Sequence, residues 1–150
     1  MTTMQDRLKD EMKQAMRSRE KVRLGTIRLI LAAIKQKEVD ERIVLDDQQV
    51  LVVLDKMQKQ RRESIRQYRD ASREDLVAVE EAEVLIIQEF LPQALTEEEI
   101  SSMVKAAIAD SSAGSIKDMG KVMAILKPAM QGRADMAVVS TKIKELLVGT

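Results

Sequence analysis

The sequence predicts an all-α fold, and three observations carry that prediction. Apolar residues recur at spacings of three and four along successive segments, the mark of helices with one buried face. The chain has one Tyr, one Phe and no Trp against 10 Met, so its core is aliphatic. Unbranched and small side chains lose little freedom in helices, whereas sheets draw on aromatics and Thr. Third, Ser72, Thr96 and Ser115 are each followed three positions later by an acid, the spacing of a capping box at a helix start. At 150 residues the chain can bury roughly two-thirds of its unfolded surface, enough for one compact domain or two small ones.

In order along the chain, Thr3 with Asp6 opens a first helix whose apolar positions Met4, Leu8, Met12, Ala15 and Met16 carry it to about Arg17. A polar joint from Ser18 to Lys21 leads to a second helix through Leu24, Ile27, Ile30, Leu31 and Ile34. With Leu29, Ala32 and Ala33 on other faces it is apolar all round, which predicts burial between neighbours. Asp46 and Asp47 suit the positive end of a third helix. Its stripe Val50, Val53, Leu54, Met57, Ile65 and Tyr68 opposes a basic edge of Lys56, Lys59, Arg62, Arg66 and Arg69. Arg61 falls inside the apolar stripe and must find a carboxylate or carbonyl there, because an unpaired buried charge is costly.

Ser72 and Asp75 are expected to box the start of a fourth helix that runs through Val77, Val79, Val84, Leu85 and Phe90. Pro92 should end it, since proline disfavours the helical conformation of the residue before it. The chain is therefore divided into an N-terminal subdomain of long antiparallel helices, residues 1–91, and a small three-helix C-terminal subdomain, residues 92–150. In the latter, Thr96 and Glu99 open one helix, Ser115 and Asp118 a second, and Asp135 a third. Pro128 should end or kink the second, and Gly132 should take a left-handed conformation. Val138, Val139, Ile143 and Leu147 should face inward.

Composition excludes much chemistry. The chain has no Cys and no His, which removes disulfides, thiol nucleophiles, the usual proton shuttle and the commonest metal ligand. No Ser stands in a nucleophile elbow. Glu97, Glu98 and Glu99 read as compensation of a helix dipole, and Glu80, Glu81 and Glu83 as a solvated or salt-bridging face. No catalytic residue, cofactor or metal is expected. The N-terminal stretch lacks an apolar segment followed by a small-residue cleavage site, and the longest apolar run, 29–34, falls far short of the roughly 20 residues that cross a bilayer. A cytoplasmic protein with no membrane partner is expected.

The net charge is zero, yet charge is segregated. Residues 1–70 hold 17 Lys/Arg against 12 Asp/Glu (+5), residues 71–110 hold 2 against 10 (−8), and residues 111–150 hold 6 against 3 (+3). Two basic features are candidate sites. One is the edge Lys59, Arg62, Arg66 and Arg69, where Asp55 with Lys59, Lys59 with Glu63 and Arg66 with Asp70 also satisfy a bland reading as i,i+4 pairs. The other is the corner at 118–135, which brings Lys121, Lys127 and Arg133 to one turn beside Gly120, Gly132 and Asp135. Gly120 there admits either a phosphate or a closely packed helix, and Asp135 either marks amides that bind an anion or merely caps. Tyr68 and Phe90 cannot form a stacking platform, so an RNA partner should be structured and read by shape and backbone.

The run from Asp118 to Met123 followed by Gly132 to Asp135 resembles the YqeY family, whose C-terminal half is shared with the tail of the B subunit of tRNA-dependent amidotransferase. The segments 9–16, 23–29, 59–65 and 90–95 also look like that family. The resemblance implies the all-α, two-subdomain architecture and a module associated with tRNA. The family-level label it brings is a carbon–nitrogen ligase with glutamine as amido donor, although neither active site of the amidotransferase is matched. Ala129, Met130 and Gln131 stand where many members carry lysines, and Met136 where Gly is common, which lowers any phosphate affinity. The expected function is a non-catalytic module binding structured RNA, tRNA first. The alternative is a protein–protein adaptor docking through a Met-rich surface of Met119, Met123, Met130 and Met136.

Overall fold

The computed structural model describes residues 2–148, and the chain is all-helical: among the described residues there are seven α-helices and one 3-10 turn. They are α1 (Met4–Arg17), α2 (Lys21–Glu41), α3 (Asp47–Asp70), α4 (Glu74–Gln88), α5 (Glu97–Ser111), α6 (Met119–Met130) and α7 (Met136–Val148), with the 3-10 turn at Ile116–Asp118. The chain forms two compact units, one up to Pro92 and one from Gln93.

In the first unit, local capping starts α1 and α3, whereas α2 and α4 begin without a side-chain cap. The Thr3 hydroxyl accepts the Asp6 amide at 3.1 Å, and the Asp6 carboxylate, held below its usual range mainly by the Thr3 amide, closes the box. Asp46 and Gln49 make the same reciprocal pair at α3. Asp47 reaches sideways to accept the Met4 amide at 2.9 Å, and Gln5 donates to both Glu38 and the Leu45 carbonyl. The starts of α1 and α3 are thereby pinned to the end of α2. Leu8, Ile27, Ile30, Val50, Leu54 and Ile87 are wholly excluded from solvent in the core these helices share.

The structure corrects three expectations in this unit. The second helix is not covered all round: α2 packs on α1, α3 and α4, but Val22, Leu29 and Val39 remain 62%, 47% and 60% exposed. Ser72 is not an N-cap, because it occupies the left-handed region (φ 57°) that closes α3. There the Arg73 amide donates back to the Tyr68 carbonyl at 2.8 Å, so the turn out of α3 takes precedence and α4 begins at Glu74 without a side-chain cap. The fourth helix stops at Gln88, and the Phe90 and Leu91 amides tighten onto carbonyls three residues back. Phe90 is buried, and the guanidinium groups of Arg7 and Arg23 lie over its ring at 5.0 and 5.9 Å from the ring centre.

In the second unit, Thr96 and Glu99 form the expected box. Val104, Val122, Leu126, Met130, Val139 and Ile143 build its core. Three further expectations change. Ser115 caps nothing with its side chain; instead the Asp118 carboxylate accepts the Gly114 amide at 3.0 Å, and the 3-10 turn precedes α6. Pro128 lies inside α6, which continues to Met130; a proline in the last turn forfeits a single amide donor, and burial of Met130 holds the turn. Val138 is 57% exposed, since the inward arc of α7 is already filled by Val139, Ile143 and Leu147. Gly132 does adopt a left-handed conformation, φ 76°.

Candidate nucleic-acid interface

From Lys56 onward α3 presents its basic edge to solvent: Lys56, Lys59, Arg62, Arg66 and Arg69 are all exposed, as the three-and-four spacing requires. Arg62, Ile65, Arg66, Arg69 and Asp70 surround a shallow depression of about 370 Å³, with the half-buried Ile65 among the cations. Some of these charges are partnered. Lys59 pairs with buried Asp55 at 3.2 Å, Arg66 pairs with Glu63, and Arg69 reaches Glu81 on α4 at 2.7 Å. The other two expected pairs, Lys59 with Glu63 and Arg66 with Asp70, do not form, because Glu63 is taken by Arg66 and Gln67. Arg62 and Lys56 make no ion pair among the described residues.

Arg61, one position before Arg62, points the other way. It donates from Nε to Glu83 at 2.7 Å and from Nη1 to the Met57 carbonyl at 3.4 Å, the internal partners that its place in the apolar stripe demanded. The adjacent Glu80 carboxyl is pushed above its ordinary value by burial and by Glu83.

In the C-terminal corner the three candidate cations have different circumstances. Lys127 is exposed and makes no ion pair among the described residues. Lys121 is exposed and lies 3.6 Å from Asp118, whose carboxyl is held below its ordinary range mainly by the Gly114 amide and also by Lys121. Arg133 is half-buried and works as a strap. Its Nε donates to the Gln93 carbonyl at 3.1 Å, its amide to the Met130 carbonyl at 2.8 Å, and its own carbonyl accepts the Leu95 amide at 2.8 Å. Sequence reasoning could not see this, because residues 93–95 and 133 meet only in the folded unit.

Gly120 is exposed with open space where a Cβ would stand, so it makes no close helix packing and leaves the backbone of the first turn of α6 approachable. Asp135 accepts the Ala137 amide at 3.0 Å, so one of the amides considered for an anion at α7 is already engaged by a carboxylate. Met119, Met123 and Met136 pack against the core of their unit and Met130 is fully buried within it. Among the described residues, no group of three or more His, Cys, Asp or Glu is placed to hold a metal ion. No helix is long and apolar enough to cross a membrane among them either.

Comparison with known proteins gives this arrangement a family. A family model described as Yqey-like protein matches residues 5–147. The protein named "Altered inheritance of mitochondria protein 41, mitochondrial" of Pyrenophora tritici-repentis is 35% identical over 144 residues, 94% of this chain and 79% of that protein. Proteins of the same name from Eremothecium gossypii and Kluyveromyces lactis are 40% and 36% identical over 95 and 107 residues. Those matches cover 61% and 69% of this chain and 52% and 57% of the relatives, so the chain spans about half the length of these two. The names overturn the expected cytoplasmic location, since relatives named as mitochondrial conflict with it. Compartment is set by address signals that receptors read, and the composition of folded helices carries no such signal. The family match runs from Gln5 in α1 to Leu147 in α7, and the chain belongs to the YqeY-like protein family.

Proposed function

We propose that this chain is a non-catalytic module that binds structured RNA of the tRNA class. It is built as an N-terminal subdomain of long antiparallel helices and a small three-helix C-terminal subdomain. The observation that carries the reading is the exposed basic face of α3, where Arg62, Arg66 and Arg69 ring the depression over Ile65. Exposed ion pairs such as Arg66 with Glu63 and Arg69 with Glu81 are worth only about 0–1 kcal/mol, so a phosphate can exchange for either carboxylate at small cost. In the corner, Lys121 and Lys127 are the accessible cations, with the open backbone at Gly120 beside Lys121. Arg133 contributes by holding the turn. A backbone-reading surface of this kind suits an RNA partner recognised by shape.

The test is a gel-shift titration of the full chain with bulk tRNA at two salt concentrations. Arg62→Ala/Arg66→Ala should weaken binding and reduce the salt slope by about one unit for each phosphate that is no longer neutralised. Unchanged affinity in that variant and in Lys121→Ala/Lys127→Ala would sink the site. The family-level ligase activity is a separate matter: ammonia release from glutamine by the purified chain with ATP and charged tRNA would overturn the non-catalytic reading.

A further inference from the structure

We infer that the outward face of α2 is a docking seam for an acidic amphipathic helix of a partner protein. Along this helix Val22, Gly25, Leu29, Ala32, Gln36 and Val39 follow one another at alternating spacings of three and four, and all six are exposed. That alternation is the spacing of a coiled-coil seam, and its single polar member, Gln36, donates to Asp40 at 2.9 Å on its own helix. Large apolar side chains at 62%, 47% and 60% exposure in one line are more than scattered surface residues. Over Gly25 nothing stands where a Cβ would be, so another backbone can come close.

Charge selects the occupant. One edge of the seam carries Lys21, Arg28 and Lys35 at seven-residue spacing, all exposed and without an ion pair among the described residues. In a two-helix seam these flanking positions face the flank of the partner helix and set partner choice. A second copy of this chain does not fit. Paired in parallel, it would offer Thr26, Ala33 and Asp40 opposite the three cations, a single acid, and Thr26 is buried. Paired in antiparallel fashion, it would set cation against cation. A helix with apolar residues along its seam and Glu or Asp along one flank satisfies both the stripe and the edge. This surface is separate from the RNA-binding reading and does not depend on it.

The experiment uses the full chain and two designed helical peptides of about three heptads with the same apolar seam, one flanked by Glu and the other by Lys. Fluorescence anisotropy should show the Glu peptide binding at least about tenfold more tightly, with the preference reversed in Lys21→Glu/Arg28→Glu/Lys35→Glu. Leu29→Glu, at a position already half exposed, should abolish binding of the Glu peptide while circular dichroism stays unchanged. Equal binding of both peptides, or none of the Glu peptide, overturns the proposal. So does a dimer in sedimentation that Leu29→Glu dissolves, which would make a second copy the occupant. Loss of tRNA affinity in the triple charge variant but not in Leu29→Glu would assign the edge to phosphates and overturn it as well.

Discussion

Arg61 and Arg62 are adjacent in sequence and opposite in consequence, which makes them the sharpest test of the structure. The side chains of Arg61 and Glu83 are 15% and 19% exposed, and the pair ties α3 to α4 at 2.7 Å. Truncating one member of a fully buried pair costs about 3–5 kcal/mol, because the other charge is left desolvated and alone; residual solvent contact here reduces that to about 2 kcal/mol. In urea, with a slope of about 1–3 kcal/mol per molar, Arg61→Ala should lower the unfolding midpoint by roughly 1 M. Arg62→Ala, which breaks no ion pair among the described residues, should stay within about 0.5 kcal/mol of the parent. The double change Arg61→Met/Glu83→Leu should recover most of the loss, since an apolar pair of similar volume needs no desolvation. An Arg61→Ala midpoint matching that of Arg62→Ala would refute the internal pair and the orientation of the α3 face built on it.

Gly120→Ala should stabilise the chain by up to about 0.5 kcal/mol in urea unfolding, because the space for a Cβ is empty and glycine costs about 0.5–1 kcal/mol in a helix interior but less in the first turn where Gly120 stands. Ser72→Gly should stabilise by roughly 0.5 kcal/mol, the relief at φ 57° exceeding the added freedom of the unfolded chain; a loss instead would mean the hydroxyl is needed there. Glu38 is held below its ordinary 4.5, mainly by the Leu45 amide and then by Gln5, so its contribution is present above that value and lost as pH falls through the folded value. Thermal midpoints of the parent and of Glu38→Gln should therefore differ at pH 6 and converge as pH falls from 4.5 through the lower folded value.

What was legible in the residues themselves is whatever depends on neighbours a few positions away. Thr3 with Asp6 and Thr96 with Glu99 cap as their spacing dictates, because both partners of each bond lie within one turn; for Asp46 only its charge at the start of α3 was legible, and the structure adds its box with Gln49. The core-facing part of the stripes, Met4, Leu8 and Met12 on α1 and Val50, Val53, Leu54 and Met57 on α3, the outward basic edge and the inward need of Arg61 follow from the helical period. Met16, expected in the α1 stripe, is instead 50% exposed, and Ile65 and Tyr68 lie outside the core. Tertiary structure decided the rest. Ser72 and Ser115 carry the letters of a cap, but the turn that closes α3 and the loop that folds onto Asp118 claimed their backbones. Pro128 did not stop α6 because the core holds Met130 beyond it. The apolar residues of α2 divide into buried and uncovered faces only once α1, α3 and α4 are in place. Arg133 looked like one more free cation until the chain at Gln93 and Leu95 arrived beside it. Local bonds are written in adjacent residues, whereas which face is covered and which charge is engaged depends on segments brought together from far along the chain.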